Sequence, residues 1–144
     1  MNWKNEAVER LKRYESMKTA VRNMSDELQE ASRVTPGFQT SQMDKVAVIS
    51  SPSPDDSLMN NLVRKEELAN ALRQAKNWIR VTDRALGMLL PEEKLVLHRL
   101  YIFPERGAID RLCEELNYEK SSVYRKRDQA LLRFTRALYG FTET

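Results

Sequence analysis

The chain has 144 residues, which fits one ordinary domain or two small ones, and its 41% apolar content is enough for a modest core. Its 24 basic and 21 acidic residues leave a net charge of only +3, so the charge of the whole chain does not identify a nucleic-acid partner. The single cysteine, Cys113, excludes an internal disulfide and a thiolate metal cluster, and it suits a reducing compartment.

The sequence carries no recognisable targeting segment. Residues 1–28 mix charges throughout and do not resemble a signal peptide. No apolar run approaches the roughly 20 residues that span a bilayer. We therefore expect a cytoplasmic protein with no membrane partner.

The first periodic segment covers residues 2–32, which contain neither proline nor glycine. Its larger apolar residues recur at spacings of three, four or seven, which predicts a long amphipathic helix. They are Trp3, Ala7, Leu11, Tyr14, Val21, Met24 and Leu28. Because the stripe is narrow, we expect it to pack against a partner helix rather than against a thick core.

The periodicity fails between residues 33 and 57, where turn and linker residues dominate. This composition predicts a long, mobile loop. The four residues from Val46 to Ile49 are an alternative short strand, which is the weaker interpretation because the chain has no second strand-like run.

A second periodic segment predicts a helix from about residue 57 to 88. Asp55, Asp56 and Ser57 are its candidate caps. Because the length of this helix matches that of the first, we expect a long antiparallel helical hairpin as a domain over residues 1–89. A lone hairpin buries little apolar surface, so we also expect a homo-oligomer.

Three shorter helices are predicted in the second domain, residues 90–144. Pro91 suits the first turn of a helix, and Glu92 and Glu93 are expected to complement the positive helix start from a solvated surface. The predicted apolar face of this helix consists of Leu95, Val96, Leu100 and Tyr101. The next helix is predicted from Ala108 to Leu116. Asn117 follows it directly and tolerates the positive φ that a tight turn between two helices needs.

The last helix is predicted from Ser121 to Leu138 and concentrates positive charge. Six basic residues and two acidic ones lie between Glu119 and Leu138, a local net charge of +4. The expected buried residues are Val123, Ala130, Leu131, Phe134 and Leu138. The expected outward residues near its start are Lys120, Ser121, Tyr124, Arg125 and Asp128. Positive charge therefore lies where a DNA-reading helix would contact phosphate.

Residues 90–131 carry a family resemblance. The runs are Leu-Pro-Glu-Glu-Lys-Leu-Val-Leu-His-Arg-Leu-Tyr at 90–101, Ile-Asp-Arg-Leu-Cys-Glu-Glu-Leu-Asn-Tyr at 109–118 and Ser-Ser-Val-Tyr-Arg-Lys-Arg-Asp-Gln-Ala-Leu at 121–131. They resemble region four of bacterial sigma factors and, more closely, the small phage-encoded transcriptional regulators of the RinA and ArpU type. The detailed match covers the last third of the chain, and upstream only the layout of helix, loop and helix agrees.

The resemblance implies an all-α fold that ends in a sigma-region-4-like helix-turn-helix, with the last helix in the major groove of double-stranded DNA. Lys120, Ser121 and Arg125 stand at matching positions for base edges. Ser122 and Tyr124 stand near phosphates, and Arg127 completes the candidate DNA-binding residues. The resemblance also implies a bacterial host cytoplasm and contact with host RNA polymerase.

The expected function is a sequence-specific DNA-binding regulator of transcription, of the phage or prophage late-gene activator type. Two alternatives stay open: a phage small terminase-like DNA-packaging subunit, which generally places its DNA module first, and a helical interaction protein that does not bind DNA. His98 is the only histidine and has no ligand partner at metal spacing, so we interpret it as a structural residue on a packing helix. We expect no catalytic, cofactor or metal site, and hence no enzyme.

Overall fold

The computed structural model describes residues 2–34 and 54–140, and over these ranges the protein is all-α, as predicted. Its α-helices are α1 (Trp3–Val34), α2 (Pro54–Gly87), α3 (Pro91–Leu97), α4 (Ala108–Leu116) and α5 (Lys120–Tyr139). The alternative strand at residues 46–49 and most of the predicted loop lie outside the described ranges. Because α2 begins at Pro54, three residues before its predicted start, the candidate caps lie inside the helix.

The chain groups into two compact units by its contacts. One comprises the described residues of Met1–Lys18 and Trp78–Thr144, and the other comprises those of Thr19–Asn77. The predicted hairpin over residues 1–89 and the functional boundary at residue 90 stay predictions. None of the helices in the described ranges is both long enough and apolar enough to cross a bilayer.

The unit Thr19–Asn77 has a small core. Among its described residues, Leu72 and Ala75 are the buried apolar ones. Arg64 Nη2 lies 3.1 Å from Glu27 Oε1, but both side chains are exposed, so the pair adds little stability. The first turns of α2 leave three large apolar side chains in contact with solvent, those of Leu58, Met59 and Val63.

The larger unit contains a first core cluster that joins α1, the end of α2, α3 and α5. Its buried members are Ala7, Leu11, Ala85, Leu89, Leu97, Ile102, Ala130, Leu131 and Phe134. The burial of the last three confirms the predicted inner face of α5, whereas Leu138 is only partly buried. Because Ala7 and Leu11 are fully buried, the start of α1 belongs to the same core as α5.

A second core cluster joins α3, α4 and α5 through Val96, Leu112 and Val123, which are all fully buried. The predicted inner side of α4 is confirmed, since Ile109, Cys113 and Leu116 pack against this cluster. Cys113 itself is only partly buried.

The end of α3 departs from the predicted helix, because a π-helical turn continues it over His98–Ile102. Of the predicted apolar face, Val96 is fully buried and Leu95 and Leu100 pack against the second cluster, whereas Tyr101 packs against the first. Leu97 and Ile102 are buried as well, in the first cluster. A π-turn carries an extra residue in each turn, which rotates the following side chains away from the α-helical register.

Candidate nucleic-acid interface

A tight turn connects α4 to α5. Asn117 ends α4 in the left-handed conformation, at φ 57° and ψ 43°, and it is the one non-glycine residue with positive φ in the described chain. The N–H of Tyr118 donates to Cys113 O at 3.1 Å and closes the end of α4. Residues 117–119 are therefore enough to redirect the chain into α5, as the sequence predicted.

The Glu92 side chain, in the first turn of α3, contacts both the turn between α4 and α5 and α5 itself. The Tyr118 hydroxyl donates to Glu92 Oε2 at 2.6 Å, and Lys126 Nζ lies 3.7 Å from the same oxygen. The hydrogen bond to this carboxylate raises the pKa of the Tyr118 hydroxyl above its ordinary value. One acidic side chain thus fixes the position of α5 against α3.

Glu93 makes a second connection, and the prediction that its side chain is solvated is wrong. Only 1% of its surface is exposed. Glu93 Oε1 accepts a hydrogen bond from the Leu90 N–H at 2.9 Å and lies 3.0 Å from Arg133 Nε on α5. The carboxylate is buried because it satisfies a free N–H at the helix start and pairs with a cation of another helix.

The candidate DNA-binding residues divide by exposure along the first two turns of α5. Lys120, Ser121, Tyr124 and Arg125 are exposed, whereas Ser122 and Arg127 are partly buried. Ser121, Tyr124, Arg125 and Asp128 follow the i, i+3, i+4, i+7 spacing of one helix side, which we call the outward face of α5. Within the part of the chain that the structure describes, the Arg125 side chain has no hydrogen-bond or ion-pair partner.

Two other candidate cations near this face, Lys120 and Arg127, have partners within the protein, and the two interactions differ in strength. Lys120 Nζ lies 3.8 Å from Asp110 Oδ1, and because both side chains are highly exposed the pair is weak. The Arg127 guanidinium lies 5.0 Å from the centre of the Tyr124 ring and donates to Asp128 Oδ1 at 3.0 Å. Arg127 is therefore engaged within the protein, whereas Lys120 is available to a ligand.

Asp128 also forms an ion pair with α1, since Lys4 Nζ lies 2.9 Å from Asp128 Oδ1. Partial burial raises the pKa of Asp128, but the hydrogen bonds from Lys4 and Arg127 outweigh it and hold the pKa below its ordinary value. Lys4 was not predicted to lie here, because no local sequence pattern connects the start of α1 to α5.

His98 and the other potential ligand residues form no metal site in the described ranges. No three histidine, cysteine, aspartate or glutamate side chains are placed there to hold an ion. His98 lies in the π-turn with its ring centre 5.2 Å from that of Phe103, and both side chains are exposed.

Comparison with known proteins gives no assignment: no protein-family model, curated protein or solved structure matches the chain. The resemblance to regulators of the RinA and ArpU type therefore depends on the sequence motifs alone. The DNA-contact roles of Lys120, Ser121 and Arg125, and those of Ser122, Tyr124 and Arg127, stay predictions.

Proposed function

We propose that the protein binds double-stranded DNA in a sequence-specific manner and regulates transcription. The observation that carries the proposal is the outward face of α5, where Arg125 is exposed and without a partner in the described chain. An arginine near the start of an exposed helix suits a bidentate contact with guanine O6 and N7 in the major groove. Ser121 on the same face and Lys120 beside it add a short hydrogen-bonding side chain and a phosphate-binding cation.

The way α5 is held supports the same proposal. Specific recognition needs a side chain whose backbone is fixed to within a fraction of an ångström. The Asn117 turn, the Glu92 contacts and the ion pair between buried Glu93 and Arg133 all connect α5 to α3 and α4. A helix that is anchored by these contacts suits base-edge recognition better than a helix that is solvated on all sides.

Arg125→Ala tests the specificity directly. A preferred duplex is first selected with the unmodified protein from a random pool, and single-base variants of it are then measured by fluorescence anisotropy. We expect Arg125→Ala to lose the preference at one base position, at a cost of about 1–3 kcal/mol. Arg80→Ala removes an exposed arginine of α2 as the matched control and should keep the full preference.

Lys120→Ala separates the phosphate contact from base recognition. We expect a nearly uniform loss of affinity for all duplexes and a salt-dependence slope smaller by about one. Equal affinity of the unmodified protein for every duplex would remove the specificity from the proposal. No affinity even at low salt would overturn DNA binding and favour a helical interaction protein.

We further propose that the unit Thr19–Asn77 associates with a second copy of itself. Its described residues bury only Leu72 and Ala75, yet they expose Leu58, Met59 and Val63 at the start of α2. A partner copy that covers these side chains supplies the apolar burial that this unit lacks. The phage setting and contact with host RNA polymerase are proposed from the motif resemblance alone.

Native mass spectrometry measures this association. Two to four copies support the regulator, whereas eight or more favour the packaging-subunit alternative. Replacing both Met59 and Val63 by glutamate should lower the copy number, because two carboxylates would be buried in the contact. A monomer in the unmodified protein would contradict the proposal.

A further inference from the structure

A groove of about 590 Å³ lies between α1, the end of α2 and the α3 segment with its π-turn. Its volume falls within the range of about 300–1,000 Å³ that small-molecule sites occupy. The apolar side chains in its lining include those of Leu86, Leu95, Ile102 and Phe103. Phe103 is 49% exposed, a large apolar surface that a ligand would remove from water.

The charges around the groove leave one cation unmatched. Glu15 lines the groove, but its carboxylate lies 3.4 Å from Lys18 Nζ, and these two charges offset each other. Lys94 is exposed and has no side-chain partner among the described residues. His98, one helical turn beyond Lys94, adds a polar ring to the same wall. The groove therefore combines an apolar lining with a positive charge, which suits an amphipathic anion.

The π-turn is a second, independent feature of this wall. His98 begins it, Ile102 ends it, and both line the groove. A π-turn inserts an extra residue into a helix, and such turns occur frequently at functional sites. Here the extra residue buries Ile102 in the first core cluster while His98 and Phe103 stay exposed beside the groove.

We propose that this groove binds a small amphipathic carboxylate, with its apolar body against Leu95 and Phe103 and its carboxylate at Lys94 and His98. A small molecule fits better than a protein segment, because the site offers one unmatched cation and a volume suited to an alkyl or aromatic body. The binding itself does not depend on the proposed DNA function, so the two proposals can fail separately.

The test uses the full-length protein without DNA. Since His98 is the only histidine, its ring-proton NMR signals report the groove without ambiguity. Decanoate is the probe, kept below its micelle concentration. Decyltrimethylammonium controls for the same alkyl chain with the opposite charge, and butyrate controls for a short chain. We expect saturable shifts of the His98 signals with decanoate and none of comparable affinity with either control.

Substitutions test which side chains of the groove contact decanoate. Lys94→Ala should raise the Kd for decanoate about twofold to fivefold, the effect of one partly exposed ion pair. Phe103→Ala should also weaken binding, because it removes an exposed apolar wall without disturbing a buried position. Lys76→Ala, an exposed lysine of the other unit, is the control and should leave the Kd unchanged. Unfolding midpoints check that each variant is folded.

Three results would overturn the proposal: equal affinity for decyltrimethylammonium and decanoate, an unchanged Kd in Lys94→Ala, or no saturable shift at all. A short peptide of alternating leucine and glutamate provides a further comparison. If it shifts the His98 signals at much lower concentration than decanoate, the groove is a protein-docking site instead.

Discussion

Arg125 and Arg127 lie two positions apart on α5, yet their surroundings differ. Arg127 packs on the Tyr124 ring and pairs with Asp128, whereas Arg125 has no partner in the described chain. The sequence placed both among the candidate DNA-binding residues, since residue type and helix position are alike. It could not separate them, because the distinction depends on the conformation of neighbouring side chains.

Asp128 limits the positive charge of the outward face of α5. The carboxylate is ionised at neutral pH and pairs with Lys4 and Arg127, which hold its pKa below the ordinary value. Asp128→Asn removes a charge that repels phosphate and releases two cations. If α5 binds DNA, affinity for any duplex should rise, and the slope of log affinity against log salt should steepen by roughly one to two.

Anisotropy titrations at several salt concentrations measure this slope. Glu66→Gln removes an exposed carboxylate of α2 and is the matched control. An unchanged slope in Asp128→Asn, together with intact DNA binding, would place this end of the outward face away from the phosphates.

Among the elements, the turn between α4 and α5 depends most on a single residue, because Asn117 must adopt a positive φ. Its left-handed backbone costs a residue with a Cβ about 1–2 kcal/mol, less for asparagine, and glycine adopts it freely. We expect Asn117→Ala to lower the free energy of unfolding by about 1 kcal/mol and Asn117→Gly to leave it equal or raise it. Urea unfolding measures both, and Asn77→Ala in the exposed part of α2 is the control.

Equal destabilisation by alanine and glycine at position 117 would contradict this account. It would mean that the asparagine side chain, rather than its backbone conformation, stabilises the turn.

The elements also show where sequence reasoning succeeds. The bounds of α4 match the prediction because Gly107 and Asn117, both left-handed, delimit the helix with local signals. The π-turn after α3 carries no such signal, and it places Ile102 in the same core cluster as Leu97. The burial of Glu93 was missed for the same reason, since its cation partner lies on a different helix.

At the scale of the whole molecule, the larger unit is built from both ends of the described chain. The sequence periodicity indicated a division near residue 90, because each helix shows only its own apolar stripe. It does not show that Ala7 and Leu11 share a core cluster with Phe134. Pairing between distant helices is a property of the assembled core, and local spacing carries little information about it.

Leu11→Ala tests this shared core. Leu11 is fully buried, so truncation should cost about 2–5 kcal/mol of unfolding free energy through lost apolar burial and a residual cavity. Met88→Ala, at a position that is 68% exposed, should change it by no more than about 0.5 kcal/mol. Denaturant unfolding measures both variants. A near-neutral Leu11→Ala would show that α1 contributes little to this core.

The core cluster that α1 and α5 share is completed only when both helices have been synthesised. Ala7 and Leu11 leave the ribosome long before Ala130, Leu131 and Phe134 do. Until α5 has been made, the apolar side of the nascent α1 lacks these partners and is exposed to chaperones and proteases. Chains that stop before α5 should be degraded rapidly, because the helix that covers Ala7 and Leu11 has not yet been made.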